Sequence, residues 1–378
     1  MNHGWEKKRL GDVCKVTMGQ SPESSSYNNT GDGMPFFQGC SDFGVMFPRV
    51  TKYCSAPTRI AENNDILFSV RAPIGTMNFA NCKCCIGRGL CSISPKSDNQ
   101  RYVYYALICS LNKIIEKGTG STFKAVGKDV MNGHYILLPS KEIQNRIASE
   151  LDKINELIEI KRSQLADLDL LAQSLFYEMF GDPITNPKGW ENSTIGDVAS
   201  VQTGATPSRE ISDYYIGDIP WVKTTEVQNC DIYETEEHIS RNALENSNCK
   251  LFPLDTIIVA MYGQGKTRGQ IARLKIEACT NQACAAILPC PKLHPLFLYA
   301  FLRLSYESLR SIAVGCNQKN LNLSLVKNYT IFLPPILLQN EFAAKLEAIE
   351  EQKKLIKSSI KDLRTLFASR MDYWFNEI

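Results

Sequence analysis

Loops whose side chains can form hydrogen bonds with DNA occur at matching places in two halves of this 378-residue chain. Arg, Lys, Asn, Gln, Ser and Thr can read base edges, and Lys and Arg also bind phosphate. The loop 87–89 matches 281–283, and 120–124 matches 315–320. Their sequences differ, as in two readers of different sequences, although surface loops also diverge without function. The candidate DNA-binding residues are Arg71, Arg88, Ser121, Thr122, Lys124, Lys266, Arg268, Gln282, Asn317, Gln318 and Lys319.

One of these loops resembles a phosphate-binding loop. The segment 260–267 (AMYGQGKT) satisfies a relaxed version of the nucleotide-binding pattern. A true phosphate loop needs a helix next, because the helix N-terminus holds the phosphate. The following segment 268–274 alternates like a strand, and the matching turn 70–76 lacks the lysine. We therefore expect a glycine-rich turn that presents Lys266 and Arg268 to a DNA phosphate or only reverses the chain.

The sequence gives no indication of catalysis. It contains no nucleophile elbow, zinc-protease motif or dinucleotide-binding motif, and no amino-methyltransferase motif. Cys82, Cys84 and Cys85 form the one cysteine cluster, but no second Cys or His pair completes a zinc site. The sequence therefore predicts a protein without a catalytic or metal site and without a cofactor of its own.

The chain consists of two related halves. Trp5 and the run 10–13 (LGDV) recur as Trp190 and 195–198 (IGDV), at a shift of 185 residues. The run 136–139 (ILLP) recurs as 331–334 (IFLP), at a shift of 195. The shift grows through small insertions, as expected for loops of a duplicated domain.

Each half ends in a long predicted helix, at 140–181 and at 334–378. Apolar residues recur at alternating intervals of four and three, which is a heptad seam. Lys161 and Lys353 interrupt the two seams; a polar seam residue can fix register, or its amine can extend into solvent. The predicted seam residues are Ile147, Leu151, Ile154, Ile158, Leu165, Leu168, Leu346, Ile349, Ile356, Ile360 and Leu363.

The duplication predicts how the helices pair. Two equivalent halves tend to be related by a pseudo-twofold axis, which makes the two seams antiparallel. The predicted fold class is α+β, with two mixed globular domains, 1–139 and 182–333, separated by an antiparallel coiled coil. Within the domains, 66–70 and 256–260 are predicted strands, and 100–116 and 294–311 are predicted helices.

Charge and hydropathy set broader limits. No apolar run is long enough for a membrane span, and the N-terminus does not resemble a signal peptide. Fourteen cysteines without a secretion signal indicate reduced thiols and a cytoplasmic location. Residues 1–140 contain 16 basic and 10 acidic residues, whereas 141–182 contain 5 and 9. This imbalance indicates either a polyanion partner for the first domain and not for the helix, or an ordinary solvated surface.

The duplicated order of these motifs resembles the specificity subunit of type I restriction–modification systems. The resemblance covers essentially the whole chain. It implies that each globular domain is a target recognition domain for one half of a bipartite DNA site. It also implies that the coiled coil sets the unread gap and docks two methyltransferase subunits, which restriction and translocation subunits then join. S-adenosylmethionine, ATP and Mg²⁺ are expected on those partner subunits, since the family subunit has no activity of its own.

Three other hypotheses remain at this stage. The chain could serve another methyltransferase–nuclease type or a phage-defence system that does not cut DNA. It could be a nucleotide hydrolase that uses Ala260–Thr267, or a structural coiled-coil adaptor that binds no DNA.

Overall fold

The computed structural model describes residues 5–120, 124–263, 265–315 and 320–375. The chain forms two compact units, of which the first contains 1–162 and 358–378 and the second contains 163–357. Each long helix therefore contributes residues to both units.

The first unit is built from short strands and helices. Its strands are β1 Glu6–Arg9, β2 Cys14–Met18, β3 Tyr27–Asn28, β4 Met34–Phe37, β5 Tyr53–Cys54, β6 Ile60–Ala61, β7 Ile66–Ser69, β8 Met77–Phe79, β9 Cys84–Ile86, β10 Leu90–Pro95 and β11 Tyr135–Leu138. Its helices are α1 Leu10–Val13, α2 Gln100–Cys109, α3 Leu111–Glu116 and α4 Lys128–Asn132, followed by the long helix α5 Lys141–Phe180.

The second unit follows a similar order of elements but contains an additional short helix between two of its strands. Its strands are β12 Asn192–Thr194, β13 Val201–Thr203, β14 Ile219–Val222, β15 Cys230–Ile232, β16 Glu237–Ile239, β17 Ile257–Ala260, β18 Ile271–Leu274, β19 Cys279–Thr280, β20 Cys284–Ile287 and β21 Thr330–Phe332. Its helices are α6 Ile195–Val198, α7 Arg241–Glu245, α8 Pro295–Leu304, α9 Tyr306–Gly315 and α10 Leu323–Lys327, followed by the long helix α11 Ile336–Phe375.

The sheets show the duplication directly. Among the described residues, the first unit contains a sheet of order β2-β10-β7-β8 and the second a sheet of order β13-β20-β17-β18-β15. A parallel pair also recurs, as β4 with β9 and as β14 with β19. The first and last strands of each domain pair antiparallel, as β1 with β11 and as β12 with β21. The first and last strands of each domain thus lie side by side, next to the start of a long helix.

A buried glutamine fixes the start of each long helix. Gln144 donates to the carbonyl of Pro139 (3.0 Å) and accepts from the N–H of Asn99 (2.9 Å). Its counterpart Gln339 donates to the carbonyl of Pro334 (2.8 Å) and accepts from the N–H of His294 (2.9 Å). Both side chains are almost completely buried, so each one ties a long helix to the domain before it.

The long helices pair antiparallel within each unit. In the first unit Glu150 of α5 accepts hydrogen bonds from Arg370 and from Trp374 (3.1 Å) of α11. In the second unit the ring of Phe342 packs edge-on against Phe176 and Phe180, at centroid distances of 5.6 and 5.3 Å. Residue numbers on α11 fall as those on α5 rise, as the pseudo-twofold argument predicts.

The seam residues differ in burial. In the first unit the residues Ile147, Leu151, Ile154, Ile158 and Ile360 are buried, and Leu363 is half-buried. In the second unit Leu346 and Ile349 are buried, and Leu165, Leu168 and Ile356 are half-buried.

The two seam lysines have different environments. Lys353 is buried, and its ammonium lies 2.7 Å from the carboxylates of both Asp169 and Glu350. These hydrogen bonds stabilise the charged amine that burial alone would disfavour. Lys161 is half-exposed. Lys353 thus has a specific partner on the other long helix, since Asp169 belongs to α5.

Two predicted helices are each interrupted by a serine. The predicted helix 100–116 divides into α2 and α3 at Ser110, and 294–311 divides into α8 and α9 at Ser305. The Ser110 hydroxyl donates to the carbonyl of Ala106 at 2.7 Å, a local bond that competes with the continuing helix. The spacing of apolar residues does not reveal such a break, because it continues unchanged across the serine. No helix in the described residues has the length and apolarity needed to cross a membrane.

We predict that the first unit loses stability as the pH falls below about 6.5. His134 is buried against the Ser110 hydroxyl (2.8 Å), and burial lowers its pKa to about 4. Between about pH 6.5 and about pH 4, His134 is therefore protonated in the unfolded chain but stays neutral in the folded chain. This proton uptake stabilises the unfolded state and lowers the free energy of unfolding. The measurement is chemical denaturation at pH 7 and pH 5 for the wild-type protein and the His134→Gln variant.

The variant should lose less stability on acidification than the wild type. The control variant, His238→Gln, replaces a histidine of the second unit and leaves His134 in place. An equal decrease in all three proteins would contradict the assignment to His134.

Candidate nucleic-acid interface

Three loops of the first unit meet at the end of strand β7. The N–H of Val70, directly after β7, donates to the carbonyl of Gly89 (2.9 Å). The carbonyl of Val70 accepts from the N–H of Val126 (2.9 Å), and Arg71 forms a bridge with Ala125. These bonds place the turn after β7, the loop before β10 and the loop before α4 side by side.

The second unit forms the same junction at the end of β17. The N–H of Met261 donates to the carbonyl of Ala283 (2.8 Å), and its carbonyl accepts from the N–H of Leu321 (3.1 Å). Each bond has its counterpart in the first unit. The duplicated sheets therefore bring together, in each unit, three loops that are far apart in sequence.

The candidate DNA-binding residues within the described part of the chain all belong to these two junctions. In the first unit Arg71, Arg88 and Lys124 are exposed. In the second unit Lys266 and Gln282 are exposed, and Arg268 is half-buried. The candidates outside the described residues are Ser121, Thr122, Asn317, Gln318 and Lys319. The junctions gather basic and amide side chains on adjacent loops, which is the composition that binds phosphates and base edges.

A tyrosine and an arginine of helix α9 form hydrogen bonds with the backbone of the glycine-rich turn in the second unit. The Tyr306 hydroxyl donates to the carbonyl of Lys266 (2.5 Å), and Arg310 donates to the carbonyl of Gly265 (3.0 Å). The Arg310 guanidinium also lies 5.2 Å from the centre of the Tyr306 ring. Sequence reasoning missed both residues, because helix α9 looks like ordinary amphipathic structure.

The next regular element after this turn is strand β18, so the turn does not lead into a helix. The corresponding turn of the first unit is held differently. Ser69 donates to the carbonyls of Arg71 and Pro73, both at 2.9 Å. The two turns thus share a position in the fold but are held by different side chains, which lets them differ in sequence.

Two hydroxyl residues complete the junctions and were not among the candidates. The Ser21 hydroxyl accepts from the N–H of Arg88 (3.3 Å), and the Thr206 hydroxyl donates to the side-chain carbonyl of Gln282. Ser21 and Thr206 are equivalent at the shift of 185, in the matching runs 17–22 and 202–207. The recurrence of these two runs is therefore a sequence signal for both positions.

A nearby lysine of the second unit is held by carboxylates. Lys223 lies 2.6 Å from Glu236 and 3.2 Å from Glu237. Its hydrogen bond to Glu236 raises its pKa, so the amine stays charged. Because its charge is matched locally by carboxylates, Lys223 is a weaker phosphate ligand than Lys266 would be.

Comparison with known proteins identifies the class of protein. The family model for the type I restriction modification DNA specificity domain matches the chain twice, at residues 2–169 and 187–364. The chain therefore belongs to the type I restriction–modification DNA specificity family. Subunits of this family recognise the DNA sequence for a type I complex and have no catalytic activity of their own.

Individual relatives match one half or nearly the whole chain. The MjaX specificity subunit of Methanocaldococcus jannaschii is 43% identical over 169 residues, which cover 44% of this chain and 40% of that protein. The MjaIX type I restriction enzyme specificity subunit of the same organism is 26% identical over 380 residues, which cover 92% of this chain and 87% of that protein.

Solved structures share the fold. The specificity subunit of a type I system from M. genitalium superposes with a TM-score of 0.64 at 16% identity, covering 99% of this chain and 96% of that one. A chain from a study of type I complex assembly and conformational transition gives 0.62 at 18% identity, covering 98% and 97%. The predicted α+β fold with two tandem domains and long helices is confirmed.

We predict that Lys124→Ala weakens DNA binding equally for all sequences. Log affinity falls with log salt concentration, and each lysine that neutralises a phosphate makes this slope steeper by about 0.9. The variant should therefore show a slope that is shallower by about 1. The measurement is fluorescence anisotropy with a labelled duplex at several salt concentrations. Lys83→Ala, which removes an exposed lysine paired with Glu62 at 3.0 Å, is the control and should keep the wild-type slope. An unchanged slope for Lys124→Ala would remove this residue from the interface.

Proposed function

We propose that this chain reads a bipartite DNA sequence, with one half-site for each loop junction. The observation that carries the proposal is the duplicated junction, with matching backbone bonds but different side chains. Arg71, Arg88 and Lys124 occupy the first junction, and Lys266 and Gln282 the second. A shared frame with different polar side chains is what two readers of different half-sites require.

The long helices set the distance between the half-sites in this proposal. Each helix has 40 residues, hence a length of about 60 Å at 1.5 Å per residue. Two buried glutamines, Gln144 and Gln339, each bond the start of one long helix to the domain before it. A helix that is rigid and anchored can hold a fixed gap, whereas a flexible linker cannot.

We also propose that the helices dock two methyltransferase subunits, one on each unit. Exposed apolar residues on the helices recur at the shift of 195: Ile160 matches Leu355, and Leu171 matches Leu366. Their exposed fractions are 46%, 63%, 52% and 46%, in that order. The first unit contains Ile160 and Leu366, and the second contains Leu355 and Leu171. Each unit thus presents one such residue from each helix, as two copies of one partner would need.

An open groove of the first unit includes Leu366, one member of this apolar pair. Its lining residues are Arg146, Ser149, Glu150, Lys153, Ile154, Leu366 and Arg370. We propose that its apolar and charged side chains contact the partner subunit. S-adenosylmethionine, ATP and Mg²⁺ are assigned in this proposal to the partner subunits, and the complex would act in the cytoplasm, where its DNA lies.

Exchanging residues 1–139 for the first domain of another family member should change only one half of the recognised site. The reason is that the first junction lies wholly within this segment, while the second junction and both helices are retained. The measurement is long-read methylation mapping in a host that expresses the chain with its methyltransferase subunits. A change in both halves, or the absence of a bipartite motif for the wild type, would contradict the proposed function.

The double variant Leu171→Glu/Leu355→Glu should lose one of two methyltransferase subunits, because it places charge on one of the two proposed contacts. Native mass spectrometry of the assembled complex measures the stoichiometry. Leu337→Glu is the matched control: Leu337 is 79% exposed on α11, and its counterpart at the shift of 195 is already Glu142. Retention of two subunits by the double variant would exclude this surface.

A further inference from the structure

Residues 88 and 282 occupy the same structural position in the two units. The N–H of Gly87 donates to the carbonyl of Phe37 (2.8 Å), and the N–H of Asn281 donates to the carbonyl of Val222 (3.2 Å). The residues on the other side, Gly89 and Ala283, are held by the turns after β7 and β17, as described above. The backbone on both sides of each residue is therefore fixed by equivalent hydrogen bonds.

The side chains at this position extend outward from a rigid turn. Arg88 and Gln282 are exposed, whereas their flanking residues are buried or half-buried. In the first unit a Cβ on Gly89 would lie 2.4 Å from the carbonyl oxygen of Gln38, so the turn is too tight for a larger residue there. Among the described residues, the Arg88 guanidinium has no hydrogen-bond or ion-pair partner, which leaves its donors available.

In the second unit the neighbouring side chain is used internally. Asn281 accepts from the hydroxyl of Thr224 (2.9 Å) and from the N–H of Ala283 (3.2 Å). Gln282 is therefore the amide of this turn that faces outward. The Thr206 hydroxyl donates to its carbonyl oxygen and so fixes the orientation of the amide. The second lone pair of that oxygen and the NH₂ group stay available to a ligand.

We infer that this position reads one base pair in each half-site, with Arg88 selecting guanine and Gln282 selecting adenine. Arginine donates two hydrogen bonds to O6 and N7 of guanine in the major groove, and glutamine pairs with N6 and N7 of adenine. Both contacts need a planar group held by a firm backbone, which the two turns provide. The inference rests on the proposed DNA-reading function and adds the identity of one base pair per half-site.

The test is an exchange of the two side chains in the whole complex. The chain is expressed with its methyltransferase subunits in a host lacking adenine and cytosine methylation, and its motif is mapped by long-read sequencing. In the motif of the Arg88→Gln variant, one G·C pair of one half-site should be replaced by A·T or should no longer be specified. Gln282→Arg should change one A·T pair of the other half-site to G·C or relax it. Affinity for the wild-type site should fall about tenfold to a hundredfold in each variant.

Two further variants keep the result interpretable. Arg88→Lys retains the charge without the planar fork, so it should keep binding but weaken the preference at the same base pair. Arg162→Gln, which removes an exposed arginine of α5 paired with Glu159, should leave the motif unchanged. Thermal unfolding of each variant checks that the fold is intact.

Several results would overturn the inference. They are an unchanged motif in Arg88→Gln and Gln282→Arg, a change in the half-site of the other unit, or a loss of methylation that follows only from a lowered unfolding temperature. A wild-type chain that produced no bipartite motif would instead contradict the proposed function. The two failures are thereby distinguished.

Discussion

The pairing of the two long helices is the constraint on which the rest of the structure depends. Each helix has an apolar seam whose exposure to water is unfavourable. A single helix cannot bury this seam by itself, so it must pack against a partner. Burying Phe176 and Phe180 against Phe342 joins helix α5 to α11 inside the second unit. Burying Trp374 against the first domain does the same in the first unit. Each compact unit therefore contains residues from both long helices.

This constraint makes the two domains interdependent without making them alike. The end of each domain is tied to a helix start by a buried glutamine, and the beginning is closed by a strand pair. Inside that frame, the loops at the ends of β7 and β17 bury Val70 and Met261 in the two cores but leave other side chains exposed. They can change their exposed side chains, as Arg88 and Gln282 have, while the backbone bonds that hold them stay the same. A scaffold with this property suits recognition of many sequences by small changes.

The sequence predicted the long helices well because heptad spacing repeats over many residues and is a strong local signal. It also predicted the duplication, since the frame residues recur in order. It did not predict the breaks at Ser110 and Ser305, because the apolar spacing continues unchanged across both serines. Nor did it identify Gln144, Gln339, Tyr306 or Arg310. Their roles arise from partners that are distant in sequence, and such contacts leave no periodic pattern.

The sequence by itself determined the class of fold, the two halves, the seams and the residue types available for binding DNA. These follow from local spacing and from repetition, which any chain displays before it folds. Only the tertiary structure decided that the turn after each central strand, the loop before its partner strand β10 or β20, and the loop before the last short helix lie together. It also decided that residues 88 and 282, which the repeat already matches, both face outward. Such proximity depends on sheet order and hydrogen-bond register, which are settled when distant segments pack together.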